Sequence, residues 1–207
     1  MRITVFGATG TVGKLVVERA LEQGHEVTAF TRHASSFAQP RERLRVVRGD
    51  VLDAAAVEGA IAGRDAVVVT LGDGRRGRVR FAGTDTIVRA MRRTGVRRLI
   101  CQSTLGVGES RANLNFVWKY VMFGILLRKA YEDHVRQEDC VRASELDWTI
   151  VRPSAFTDGP PTGAFRRDIP GDATGLGLKI ARADVADFLL EQLTDPTYVR
   201  RAPGISN

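Results

Sequence analysis

Residues 7–13 read GATGTVG, with glycines at every third position directly after the run Ile3-Thr4-Val5-Phe6. No other stretch limits the possible folds as much. A strand that ends in a glycine turn and runs on into a helix opens a βα unit. Gly7 permits the tight turn, Gly10 lets the backbone approach a pyrophosphate, and Gly13 lets the helix pack close to the sheet. The first-turn N–H groups of such a helix have no helical acceptor and point at an anion. The hydroxyls of Thr9 and Thr11 can add contacts. The spacing is G-x-x-G-x-x-G rather than G-x-G-x-x-G. A tight turn alone could use three glycines, but a strand before and a helix after favour a dinucleotide site.

The rest of the chain continues the alternation. Strands are expected at 2–6, 26–30, 44–48, 65–71, 96–102 and 147–152. Helical spacing fills 11–23, closed by Gly24, then 54–62 behind the N-cap Asp53, then 81–94 and a stretch near 131–144. Asp184 is read as the start of a last helix, VADFLLEQL, before a polar tail. The run DAVVVTL at 65–71 is apolar on both alternating faces, as in a strand covered on both sides. Short connections between strands and helices give right-handed βαβ units. The expected fold is α/β, a doubly wound, mostly parallel sheet (Rossmann-like), in a single domain over residues 1–207. Residues 106–130 and 153–181 are two irregular insertions at the carboxyl edge of the sheet, expected to form the substrate side.

A length of 207 residues suits one domain with a full core. No apolar run reaches the roughly 18 residues that span a bilayer. Met1 leads directly into a strand pattern, so no signal peptide is expected. Cys101 and Cys140 make neither a metal spacing nor a disulfide framework, and Cys101 sits in an apolar run that reads as core. A cytoplasmic setting is expected. The net charge of +7 is carried mostly by arginine, with clusters at Arg75, Arg76, Arg78, Arg80 and at Arg89, Arg92, Arg93, Arg97, Arg98. A nucleic-acid surface would need aromatic residues interleaved for stacking, and there are none. Solvated helix faces explain the clusters, and no nucleic-acid partner is expected.

The end of the second strand distinguishes the two nicotinamide dinucleotides. A carboxylate there would bind the ribose 2′-OH of NAD. The residues are instead Thr31-Arg32-His33, followed by Ser35 and Ser36. Arg32 can pair with a 2′-phosphate, so the expected cofactor is NADP(H). Asp50, in GDV at 49–51, could bond the adenine amine, with Val51 against the ring. Backbone at Leu71 and Gly72 would pass the adenosine ribose.

With GATGTVG (7–13), the segments GDVLD (49–53), DAVVVTLG (65–72), QSTLGVG (102–108), ELDWTIVRPSAFTDGPPTG (145–163) and RADVADFLL (182–190) complete a pattern. It resembles the atypical short-chain dehydrogenase/reductase group with an NAD(P)H-binding fold. Within that group it is similar to the biliverdin-IXβ reductase (flavin reductase) type over most of its length. The resemblance implies NADPH-dependent reduction of flavins, linear tetrapyrroles or quinone-like acceptors. It implies that Gly7, Thr9, Gly10, Thr11 and Val12 hold phosphates. Ser103 and Thr104 would lie under the nicotinamide ribose, with Thr104 where that type has a serine near its substrate; these two are the candidate catalytic residues. Pro153, Ser154 and Ala155 would lie beside the nicotinamide. The chain departs from that type at 106–130, at Ala155 in place of a substrate-facing histidine, and at Ser36 in place of a second phosphate-facing arginine.

A Tyr-x-x-x-Lys acid pair is missing: Tyr131 is followed four places on by Val135, and Tyr120 by Gly124. That disfavours ketone chemistry and an epimerase. Hydride transfer to a conjugated ring demands less, because water can supply the proton and the protein mainly stacks the acceptor. His134 is a candidate acid, but its place near a helix start also suits a surface or capping role. Arg152 could face an anionic acceptor or simply pair with a carboxylate. The segment NFVWKYVMFGILL (115–127) reads as a lid over an apolar pocket, as a core or dimer contact, or as a membrane-surface helix. The expected activity is hydride transfer from NADPH to a small planar acceptor, by a monomer or homodimer. The rival is a redox-sensing regulator that binds NADP(H) and turns nothing over.

Overall fold

A computed structural model of the chain describes residues 1–33, 37 and 41–207. Ser35 and Ser36 lie outside the described residues.

Seven strands form one sheet: β1 (Arg2–Phe6), β2 (Glu26–Thr31), β3 (Leu44–Arg48), β4 (Ala66–Val69), β5 (Arg98–Gln102), β6 (Asp147–Pro153) and, at the chain's end, β9 (Gly204–Ile205). Their order is β3-β2-β1-β4-β5-β6-β9, and the pairs are parallel. The order reverses between β1 and β4. Phe6 there stands opposite both Phe30 of β2 and Val69 of β4, so the three strands end level. Loops leaving β1 and β4 diverge to opposite sides, and the crevice between them is where open α/β sheets bind ligands.

Alternation along the strands makes two cores. Ile3 and Val5 face α1 (Thr11–Glu22) and α5 (Arg182–Glu191), packing with Val16, Val17, Phe188 and Leu189. Phe6, Val67 and Val69 face the other layer, formed by α2 (Ala54–Ile61), α3 (Arg80–Thr94) and α4 (Arg128–Arg142). All four residues of β4 are buried, as its apolar run predicts. Asp53 caps α2, its Oδ1 accepting from the N–H groups of Ala55 and Ala56.

Three expectations change. The polar tail is not a tail: Gly204 and Ile205 pair with Arg152 and Pro153, and Ile205 is fully buried. Two residues carry no periodic signal, so only the tertiary pairing makes them a strand. The last helix begins at Arg182, before Asp184. Asp184 is buried and reaches back into the second insertion, accepting from the N–H groups of Thr162 and Gly163 and from the Thr162 hydroxyl. Finally, the insertions are partly regular. The second holds a parallel ribbon of β7 (Ala155–Thr157) and β8 (Lys179–Ala181). The first holds a 3-10 helix (Gly108–Asn113) and a π-helix (Val117–Leu126).

Candidate functional site

The glycine loop follows β1. Gly7 sits at φ 82°, a left-handed conformation that side-chain-bearing residues rarely adopt. A Cβ on Gly13 would lie 2.1 Å from the Gly7 carbonyl oxygen and 2.8 Å from Thr70 Oγ1, so the first turn of α1 rests directly on the loop. Gly10 is the N-cap of α1 without a side-chain cap bond, and the first turn holds no acidic residue. Nothing local competes with an incoming phosphate for these N–H groups.

A groove of about 380 Å³ opens above this loop. It is lined by Gly7, Thr9, Gly10, Thr11, Val12, Arg32, His33, Asp50, Val51, Leu71 and Gly72, so the sheet's carboxyl edge brings together residues from four separate βα turns. Thr9 Oγ1 lies 3.3 Å from Thr31 Oγ1, and the His33 N–H donates to Thr31 Oγ1, which shapes the turn that presents Arg32 at the exposed rim. Asp50 also accepts from the Leu52 N–H. Gly13 does not line the groove; its place is the packing contact beneath it.

A second cavity of about 300 Å³ adjoins the first. Ser103, Thr104, Ser154 and Ala155 line it, as do Leu105, Leu114, Trp118, Phe123, Leu127, Tyr131, His134 and Leu178. Its walls are therefore mostly aliphatic and aromatic. Trp118 and Phe123 stand 5.6 Å apart by ring centroid, and Phe123 and Tyr131 5.0 Å. Pro153 lines neither cavity; it is buried behind them, its carbonyl accepting from the Leu105 N–H. The two cavities share Gly74, Arg80, Gln102 and Phe156. Sequence reasoning assigned neither Arg80 nor Gln102 to the site, although Gln102 opens the QSTLGVG segment; they meet Phe156 only because β5, α3 and β7 converge.

Several polar atoms around this junction are unpaired. Gln102 Oε1, Ser103 Oγ, Ser154 Oγ and His134 Nδ1 are buried and have no hydrogen-bond partner among the described residues. Unpaired buried polar atoms are costly, so a cluster of them facing two cavities fits a ligand that supplies the partners. The glycine cradle and this cluster together fit a dinucleotide laid across the sheet edge. Arg80 is held by Asp73 at 3.3 Å and Asp133 at 3.9 Å, and burial lowers its pKa against the pull of both carboxylates.

His134 is not a surface or capping residue. It lies inside α4, buried, and burial, with the nearby Arg80 charge, lowers its pKa to about 3. It is neutral at physiological pH and offers no imidazolium acid. Arg152 does not face the cavity. Its guanidinium is buried and donates Nε to Glu138 Oε1 at 2.9 Å, Nη2 to Glu138 Oε2 at 2.7 Å and Nη1 to Glu109 Oε1 at 2.7 Å. Burial alone would lower its pKa, but these hydrogen bonds and charges hold it above its ordinary value. The carboxylate reading of Arg152 is the observed one. Cys101 is buried in the core, and burial pushes its thiol up; Cys140 is pushed up to about 11, first by burial and then by Asp85. Neither is a reactive thiolate.

Residues 7–196 match the model of the NAD(P)H-binding family. An uncharacterized chloroplastic protein of Arabidopsis thaliana is 29% identical over 206 residues, covering 93% of this chain. A (4-alkanoyl-5-oxo-2,5-dihydrofuran-3-yl)methyl phosphate reductase of Streptomyces griseus is 30% identical over 211 residues, covering 99% of this chain. The chain spans 71% of the first relative's length and 67% of the second's. It spans only 16% of an uncharacterized Mycobacterium tuberculosis protein matched at 36% identity over 142 residues. Among solved structures, ChuY, an anaerobillin reductase of Escherichia coli O157:H7, superposes with a TM-score of 0.83 at 26% identity, covering 99% of this chain and 96% of that one.

Proposed function

The chain belongs to the NAD(P)H-binding family, and from that premise we propose that it is an NADPH-dependent reductase of a planar conjugated acceptor. The acceptor classes are flavins, quinone-like rings and linear tetrapyrroles. One observation carries the reading: the groove over the glycine loop adjoins an apolar, aromatic-walled cavity, and the two share Arg80, Gln102 and Phe156. The reductase names of the Streptomyces griseus relative and of ChuY support it.

In this reading Gly7, Thr9, Gly10, Thr11 and Val12 hold the pyrophosphate. Arg32, with His33, takes the 2′-phosphate. Asp50 and Val51 flank the adenine, and Leu71 and Gly72 pass its ribose. Ser103 and Thr104 receive the nicotinamide ribose, and Ser154 and Ala155 the nicotinamide. The bound cofactor supplies the hydride. The protein seats the acceptor against the wall formed by Trp118, Phe123 and Tyr131 and excludes water from the apolar walls. No lining group is a strong acid: His134 is neutral, and Tyr131 donates its hydroxyl to the Gly106 carbonyl. An acceptor reduced at a ring carbon or nitrogen, with water as the proton source, suits such a cavity. Cys101 and Cys140 are free, in keeping with a reducing, cytoplasmic setting.

The test is NADPH oxidation by the pure protein with FMN, riboflavin or a small quinone, followed by loss of NADPH absorbance. Turnover with at least one acceptor is expected. Tight binding of NADP⁺ and NADPH without turnover of any acceptor would sink the reading in favour of a redox sensor. Arg32→Asp is expected to weaken NADPH roughly tenfold to a hundredfold while leaving NADH nearly unchanged, the worth of a charge-assisted phosphate contact. Equal effects on both cofactors, measured by titration, would remove Arg32 from the site.

A further inference from the structure

The π-helix Val117–Leu126 has two apolar faces, and the cavity uses only one. Trp118, Phe123 and the following Leu127 turn inward. Phe116, Val117, Tyr120, Val121, Ile125 and Leu126 turn outward, with Phe116 70% and Ile125 72% exposed. Phe116 and Tyr120 pack on each other, ring centroids 4.9 Å apart, and the exposed apolar residues just named all lie within the one segment 116–126. Contiguous exposed apolar surface on a folded domain marks something that covers it.

The rim says what. Lys119 lies within the helix, and Arg128 and Lys129 follow it. The loop carrying Arg75, Arg76 and Arg78 packs against the segment after the helix: a Cβ on Gly77 would lie 2.2 Å from the Lys129 carbonyl oxygen, and Arg75 lines the same cavity as Trp118. Of these cations only Arg128 is in a salt bridge among the described residues, with Glu132. The nearby acids Asp73 and Glu109 are held by Arg80 and Arg152. The patch is thus apolar at its centre and cationic at its edge. A two-fold dimer would place the same cations on both sides of the seam. An anionic lipid surface complements both parts: acyl chains take the apolar face and headgroups the cations.

We propose that this face docks the protein reversibly on anionic bilayers, with the acceptor cavity just behind the docked helix. Resting on the reductase reading, this makes the natural acceptor a lipid-soluble, quinone-like ring that enters past the π-helix. The docking itself needs neither cofactor nor turnover, so its test is separate from that of the reductase activity.

The test is co-sedimentation of the protein with phosphatidylcholine vesicles, with and without phosphatidylglycerol, at low and raised salt. Binding is expected with the anionic vesicles and is expected to weaken with salt. Phe116→Glu/Ile125→Glu alters only exposed positions and should cut vesicle partition by roughly tenfold or more, as should Arg76→Glu/Lys129→Glu. Unchanged thermal unfolding and NADPH binding would show that both variants are folded. Three results would each overturn the proposal: no binding to anionic vesicles, binding that survives Phe116→Glu/Ile125→Glu, or a concentration-dependent dimer that Ile125→Glu dissolves while lipid binding is absent.

Discussion

Glu138→Ala is expected to cost about 3–5 kcal/mol of folding stability, the penalty for leaving a buried charge without its partner. Glu138 and Arg152 are both about 2% exposed at the side chain and bond through two parallel contacts. Removing the carboxylate leaves a buried guanidinium with only Glu109, whose side chain is 68% exposed. Glu109→Ala should cost far less, about 1 kcal/mol or under, because water can replace an exposed partner. The pair also ties together segments around the apolar cavity. Arg152 is the next-to-last residue of β6, two places before Ser154, Glu138 lies on the helix that carries Tyr131 and His134, and a Cβ on Gly108 would stand 2.9 Å from Arg152 Nη2. Urea unfolding of the two variants checks this. A Glu138→Ala loss no larger than that of Glu109→Ala would mean that Arg152 is not buried on Glu138. Replacing both partners with apolar residues, Glu138→Leu/Arg152→Met, should restore much of the stability, since no stranded charge remains.

Gly13→Ala should nearly abolish dinucleotide binding. The added methyl would sit 2.1 Å from the Gly7 carbonyl oxygen, and backbone cannot swing aside as a flexible side chain can. The first turn of α1 must move away from the β1–β4 edge, taking the Thr11 and Val12 N–H groups with it. Overpacking of this kind costs about 1–3 kcal/mol in stability. A displacement near 1 Å in a positioning element can cost on the order of a hundredfold in kcat/KM. Gly59→Ala is the control. A methyl added to that helical glycine would meet nothing within 4 Å, so the change should be neutral or stabilising by about 0.4–1 kcal/mol. Calorimetric titration with NADPH, alongside thermal unfolding, separates loss of binding from loss of fold. Wild-type affinity in Gly13→Ala would refute the cradle.

Most of the sheet was legible because its signals are local. The buried run at β4, the Asp53 cap and the glycine turn each report their structure within a few residues. The groove was legible for the same reason: Gly7, Arg32, Asp50 and Gly72 each follow a strand, and a parallel sheet brings its strand ends to one edge. The other side was not. Asp184 carries a helix-cap signal but bonds Thr162 and Gly163 in the preceding insertion. His134 reads as a helix-start residue and is instead buried beside Arg80, and Arg152 meets carboxylates from two other segments.

By itself the sequence determined an α/β sheet with a glycine turn at its switch point, because periodicity, caps and glycine turns act over short stretches of chain. Only the tertiary structure decided that Gly204–Ile205 completes the sheet, that Arg80, Gln102 and Phe156 join two cavities, and that the π-helix keeps an uncovered apolar face. Those outcomes depend on contacts between residues far apart in the chain, and no local pattern encodes which distant partner a side chain will meet.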